Sequence, residues 1–452
     1  MKKIWQKNNK NTVSKIVEKY CFSEGTVLDN QLITEDVLGS IAHAFMLVKI
    51  GILKQEEFVK LKDSLLEILK LKKEGKFVVT AEDEDVHTKV ENYLTQKLGE
   101  LGKKIHTGRS RNDQVLTDLR LFSKKNIIGV STSINRLIEV FINFGKKYEF
   151  VPMPGYTHMQ KAMPSSVGMW AGSFAESLID DLELIKSSYQ LNDQSPLGSG
   201  AAYGVSLPID RNLTAKLLGF SKVQNNSLHA QISRPKIQLA IMQGLTQIML
   251  TLSPFASDLL LFTTEEFNFF SVDESLCTGS SIMPQKKNLD VMEYLRAKTH
   301  VVINLTNTVA AISASLPSGY NADFAETKSA FFKAFEITNH SIKVVDLTLK
   351  SLKPNISTLK KACTPDLYAT HAAYLLVKKG MPFREAYKKI GSSLNHLPTF
   401  NPMEVLKQTN HIGGPGNLKL DDISKINSAN KKIITSWQKK FTETINNLKG
   451  GE

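Results

Sequence analysis

The chain has 452 residues, 42% hydrophobic and 22% charged, the composition of an ordinary globular protein with length for two or three domains and a large core. Three cysteines (Cys21, Cys277 and Cys363), far apart and odd in number, give neither a disulfide framework nor a metal pattern, so a reducing, cytoplasmic setting is expected. The net charge of +13 sits largely in scattered lysines such as Lys70, Lys72, Lys73 and Lys76, and no zinc finger, basic zipper or RNA-binding motif accompanies it, so no nucleic-acid partner is expected.

The first residues, MKKIWQKNNKNTVSK, are basic with no apolar segment after them and do not read as a signal peptide. Residues 1–106 read as an N-terminal helical domain of short helices and turns. Leu38 to Ile52 has apolar positions at helical spacing, and Lys54 to Leu71 is amphipathic, closed by Gly75. The acidic run Glu82-Asp83-Glu84-Asp85 leads into Val86 and His87, where acidic groups favour a helix N-terminus.

Residues 107–355 change character. Segments with a period near 3.6 cover Val115 to Phe144, Val167 to Tyr189, Ile237 to Phe262 and Leu289 to Leu316, and strand-like alternation is scarce. Helices this long pack as a bundle. Val167, Trp170, Phe174, Leu178, Leu182 and Ile185 draw one apolar stripe. The uncharged run Ile237 to Ser257 carries Gln238, Gln243, Thr246 and Gln247, too polar for a membrane span; it reads as a helix buried on most sides, partly between subunits of an oligomer. Residues 356–452 read as a small C-terminal domain of shorter helices.

Five stretches carry chemistry-bearing residues. Thr107 to Gln114 places Arg109, Ser110, Arg111 and Asn112 at a helix start; guanidinium groups there suit carboxylates, while a simple capped helix is the plain alternative. Pro154 to Gln160 sets Thr157 beside His158 in a turn between helices, where the imidazole serves either as an acid–base group or as a structural residue. Pro196 to Gly204 is glycine-rich, but no strand precedes it and its spacing is wrong for a dinucleotide fingerprint. Cys277 to Lys298, CTGSSIMPQKKNLDVMEYLRAK, is a loop leading into a helix with Asn288 as its expected N-cap. Ser280, Ser281, Lys286 and Lys287 crowd that loop, which on residue types alone is either an environment for an anion or a basic surface loop with an ordinary cap. Gly319 to Lys328 adds Tyr320, acids and Lys328. Zinc signatures, P-loops and nucleophile elbows are missing from all five.

The string GSS-x-MP-x-K-x-N resembles the signature loop of the fumarase/aspartase superfamily, and its Gln285-Lys286-Lys287 version resembles the argininosuccinate lyase family. DEDVHT at Asp83 to Thr88, TGRSRNDQV, GYTHMQ, the PLGSG loop and LVKKGMPFREAY at Leu376 to Tyr387 match that family in order along nearly the whole chain. The resemblance implies an all-α fold of three helical domains around a long central bundle, and a homotetramer whose active sites are shared between subunits. It implies no cofactor and no metal.

The implied substrate is argininosuccinate, split into arginine and fumarate in arginine biosynthesis. By position in the motifs, Ser280, His158 and Lys286 are the implied catalytic residues, Ser280 as carbon base and His158 as acid, with the two roles open to exchange. The implied substrate contacts are Thr26, His87, Arg109, Ser110, Arg111, Asn112, Thr157, Asn288, Tyr320 and Lys328. Leu289 replaces the usual proline, and Ala322, Phe324, Ala325 and Thr327 depart from the family pattern, Ala325 losing an amide contact. Two other readings stay open: another fumarate-releasing lyase such as adenylosuccinate lyase, and a helical assembly protein that kept the fold without turnover.

Overall fold

The computed structural model describes residues 14–80 and 82–450. The chain is mostly helical, as expected, with only short two-stranded pieces beside the helices among the described residues. The N-terminal part holds α1 (Lys15–Leu28), α2 (Ile33–Lys49), α3 (Gln55–Lys73) and α4 (Val86–Leu98). Gly75, at φ +69°, follows α3 and donates its N–H to the Lys72 carbonyl at 3.1 Å, the left-handed stop that glycine takes without strain. Asp85 caps α4, its carboxylate accepting from Thr88 N at 2.7 Å.

The bundle consists of α5 (Arg111–Lys147), α6 (Val167–Asn192), α7 (Arg234–Phe262), α8 (Asp290–Ser313) and α9 (Thr327–Ser351). Each packs on the next, and α9 returns to α5. Caps explain two of the starts. Ser110 and Asp113 form a capping box on α5, and Ser166 Oγ accepts from Met169 N at 3.0 Å on α6. The start of α8 differs from expectation. Leu289 occupies its cap position without a side-chain bond, while Asn288 pairs with Thr278 in a short antiparallel bridge. Asn288 is therefore bridge backbone at the loop's return, not the N-cap.

Aromatic rings fill the bundle centre. Phe255 on α7 lies 5.3 Å from Phe141, 5.4 Å from Phe174 and 5.5 Å from Trp170, ring centre to ring centre. The stripe read on α6 faces this core, with Leu178, Leu182 and Ile185 fully buried. Only one face of α7 meets solvent, along Gln243, Gln247, Leu250 and Pro254. α5 and α7 are long and apolar enough to cross a membrane by composition, yet both lie packed within this bundle.

Between α5 and α6 the chain forms a hairpin, β1 (Pro152–Thr157) against β2 (Gln160–Ser166), where a plain turn was expected. Its tip is His158 and Met159, at φ +53° and +62°, the two positive values that a tight two-residue hairpin turn requires.

After the bundle come α10 (Ile356–Ala362), α11 (Ala369–Lys378), α12 (Phe383–Gly391) and α13 (Pro402–Gln408), with a small apolar cluster of their own at Leu367, Tyr368 and Val405. The run of short helices then ends. α14 (Leu420–Gly450) has 31 residues and lies along α5 as part of the main core. Asn135 and Asn427 bond each other's carbonyls reciprocally at 2.8 and 2.9 Å, and Trp437 stacks on Tyr189 at 4.0 Å.

Truncating Phe255 to alanine removes one ring from three aromatic contacts and leaves a cavity at the bundle centre. The expected cost is about 3–5 kcal/mol, read as a fall in the urea midpoint. A change within error would mean that the centre repacks.

Candidate active site

The site is built on buried acids. Asp29, just past α1, is 2% exposed. One of its oxygens pairs with the Lys328 ammonium at the start of α9, and the other accepts from Val86 N at 3.1 Å at the start of α4. Thr26, one turn earlier, donates its hydroxyl to the Glu84 carbonyl at 3.1 Å. Glu84 and Asp85 hold Arg111 from the other side, with Nη1 at 2.8 Å from Glu84 Oε1 and 3.4 Å from Asp85 Oδ2. Thr26, Arg111 and Lys328, distant in sequence, are thus drawn together, and Asn112 follows Arg111 in the first turn of α5.

Behind them lies a second cluster. His87 Nδ1 is 2.8 Å from Asp36 Oδ1 and 3.8 Å from Asp118 Oδ2, and all three residues are buried. Burial works against the imidazolium, but the charge and hydrogen bond of Asp36, with Asp85 and Asp29 beyond, outweigh it and raise the His87 pKa above 6.5. Burial next to Asp36 and Glu35 pushes the Asp118 carboxyl well above the usual carboxylate range. Arg109 donates from Nη1 to Ser40 Oγ at 2.9 Å; burial lowers its pKa, while Asp36 and Asp118 oppose that drop. Among the described residues, Asp36, His87 and Asp118 are the group whose ligand atoms could surround a metal ion. His87, its pKa raised by Asp36, and the Arg109 guanidinium already face these acids, so the set reads as a hydrogen-bonded charge cluster.

The glycine-rich loop answers to Asp113. Asp113 Oδ1 takes Ser110 N at 2.9 Å, and its Oδ2 takes Gly198 N at 2.9 Å and Gly200 N at 3.0 Å. Gly198 has φ +85°, and a side chain there would meet Ile209 and Arg211 within 3 Å. Ser110, an expected substrate contact, spends its hydroxyl on Asn112 N at 3.2 Å as a cap. Tyr320 is 40% exposed, and Gly319 beside it faces the Tyr203 hydroxyl of the glycine-rich loop. Thr327 bonds Gln238 Oε1 at 2.9 Å, and Ala325 is exposed.

The expected chemical groups stand apart from this buried frame. Ser280 Oγ accepts from Ile282 N at 3.3 Å and Met283 N at 3.1 Å, a turn internal to its loop. Lys286 is exposed, and Lys287 pairs with Glu274. Thr157 and His158 are exposed at the hairpin tip. Among the described residues, no hydrogen bond or ion pair ties Ser280, Lys286 or His158 to the cluster around Asp29 within one chain. Asp29, Asp36, Asp113 and Asp118 were not foreseen as site residues. The one sequence signal among the acids was the run before Val86, where Glu84 and Asp85 hold Arg111 as well as opening α4.

The chain is a mostly helical bundle with buried acids holding arginine and lysine, and with hydroxyl and imidazole groups on loops apart from them; residues 9–304 match the family model described as lyase, which places it in that class. The argininosuccinate lyase of Thermotoga neapolitana is 40% identical over 388 residues, covering 86% of this chain and 97% of that protein. The argininosuccinate lyase of Bacteroides fragilis is 39% identical over 424 residues, 94% of each. Among solved structures, EDDS lyase in complex with formate superimposes with a TM-score of 0.83 at 20% identity, over 97% of this chain and 94% of that one, a likeness of fold. The chain belongs to the argininosuccinate lyase family.

His87 yields a pH test with a definite sign. A histidine whose folded pKa is raised contributes stability that is fully present below its unfolded value, near 6.5, and is lost as pH rises through the folded value. The stability difference between the protein and His87→Gln should therefore be largest below pH 6.5 and shrink above it. Urea midpoints of both proteins across that range measure it, and a gap independent of pH would refute the charged His87.

Proposed function

We propose that this protein catalyses the reversible β-elimination of argininosuccinate to L-arginine and fumarate, in arginine biosynthesis in the cytoplasm. The observation that carries the reading is the joint presence of near-40% identity to argininosuccinate lyases along most of the chain and of Arg111 and Lys328, each fixed by acids, at the matching motifs. Arg111, Asn112 and Lys328 offer donors for the substrate's carboxylates, with Thr26, Arg109, Ser110, Thr157 and Tyr320 as further contacts and His87 positioned by Asp36.

In the forward direction a base removes a proton from the succinyl carbon next to a carboxylate, giving an aci-carboxylate. The carbon–nitrogen bond then breaks, its electrons leaving with the guanidino nitrogen, which takes a proton from an acid. We assign Ser280 as the base and His158 as the acid. A serine hydroxyl needs its alkoxide stabilised, which Lys286 nearby in the loop can supply, and Lys286 and Asn288 are the donors for the aci-carboxylate. Closure of the exposed 277–288 loop over substrate would exclude water.

The exposure of Lys286 and His158, and the half-buried Ser280 on a loop whose other residues are mostly exposed, support a site completed by neighbouring subunits, and hence a homotetramer. The solvent face of α7 and the exposed Tyr294 and Val301 of α8 suit helix packing between subunits. The reading calls for no cofactor or metal, no nucleic acid and no membrane.

Fumarate absorbance tests the reaction, with purified protein given argininosuccinate or adenylosuccinate. Signal with argininosuccinate alone is expected, and Ser280→Ala should still bind that substrate while losing nearly all turnover. Silence with both substrates from a folded oligomer would favour the non-catalytic reading. A Ser280→Ala variant that keeps most activity would remove Ser280 as the base.

A further inference from the structure

A cavity of about 10 Å³ lies inside the bundle, between α5, the end of α6 and the first turns of α7. That is room for one water-sized or monatomic occupant. Its polar lining is Arg120, Ser123, Asn192, Arg234 and Gln238, the Ser123 hydroxyl being given to the Leu119 carbonyl, with leucine and isoleucine side chains closing the rest. Arg120 and Arg234 are each 3% exposed, and Gln238 is 4% exposed. Arg120 Nη1, Arg234 Nε and Gln238 Nε2 are buried donors with no acceptor among the described residues. The arginine ion pairs among those residues belong to Arg111 and Arg136, so neither cavity arginine has a carboxylate at contact distance.

Two guanidinium groups removed from water without a counter-charge are costly, and such groups are ordinarily paired. Burial alone pulls the Arg120 pKa down to about 9. Burial also lowers that of Arg234, with Tyr320 and Asp29 opposing from further off. Among the described residues Arg120 makes one bond through its guanidinium, a long one, Nη2 to Ser233 Oγ at 3.4 Å. Arg234 is the first residue of α7, so the positive end of a 29-residue helix adds to the field.

We infer that this cavity is a binding site for one monatomic anion, chloride in the cell, held between Arg120 and Arg234 with Gln238 Nε2 as a third donor. Size excludes a carboxylate or phosphate. The site lies directly behind the substrate cradle, because Gln238 bonds Thr327 and Thr327 precedes Lys328, the partner of Asp29. The anion would thus neutralise the inner wall without competing for the outer donors. The competing occupant is a water bridging Arg120 Nη1 to Asn192 Oδ1, an acceptor that also lacks a partner among the described residues. A water would satisfy both atoms and leave both charges uncompensated.

Bromide distinguishes the two. Crystals of the full-length assembled protein soaked in sodium bromide, with data collected at the bromine edge, should give an anomalous peak in the cavity. Water density without that peak at saturating bromide would overturn the proposal. In solution, a chloride titration against gluconate at matched ionic strength should raise the melting temperature of the protein, as a ligand of the folded state does. Arg120→Gln should shift that titration at least tenfold to higher chloride, and an unshifted curve would also overturn the site. Should Arg120→Gln fail to fold, the bromide map of the unaltered protein decides alone.

Discussion

The Asp29 carboxylate is the constraint on which the arrangement depends. It is buried, and each oxygen is committed: one to the Lys328 ammonium, the other to the first backbone N–H of α4. Removing one partner of such a buried pair costs about 3–5 kcal/mol, because the other charge stays in low dielectric. Three segments that are far apart in sequence therefore cannot drift: the turn after α1, the start of α4 and the start of α9. Thr26, Arg111 and His87 take their places from these anchors, through Glu84, Asp85 and Asp36.

This frame divides the labour between rigid and exposed parts. Charges that are to hold carboxylates must be fixed in advance, and the proposed ones, Arg111 and Lys328, are fixed by acids at helix ends, where backbone N–H groups add their own field. The groups we propose as proton carriers sit instead on the hairpin tip at His158 and in the loop around Ser280. Asp113 extends the rigid part, since the carboxylate that caps α5 also grips the buried stretch of the glycine-rich loop through two backbone N–H groups. The scaffold thus presents a finished cradle and unfinished chemistry within one chain.

Much of this was legible in the sequence, for definite reasons. The four long periodic segments lie within or against the ends of α5 to α8, because burial of one stripe per helix leaves a clear period. The residues of the Thr107 to Gln114 stretch and Lys328 fall where the buried acids lie. Other features carried no local signal. Pro152, Pro154 and Gly155 hid the hairpin, since they break strand patterns while the pairing is made by tertiary register. Asn288 has the right type for a cap, but the bridge to Thr278 claims its backbone. α14 was obscured by its polar content; only a narrow stripe of Leu420, Ile423, Ile434, Ile445 and Leu448 docks on the core. Asp29, Asp36 and Asp118 read as ordinary polar residues because their partners lie 51 or more positions away in Val86, His87 and Lys328, or, for Asp118, behind His87.

The central claim is that one chain supplies the cradle and that His158 and Ser280 meet it only when subunits assemble. Co-expression of His158→Asn and Ser280→Ala, each inactive alone, tests this most directly. Mixed oligomers contain sites that draw an intact histidine from one chain and an intact serine from another, so fumarate formation should return in the co-expressed sample. Activity no higher than that of the separately purified variants, in oligomers proven to contain both chains, would contradict it.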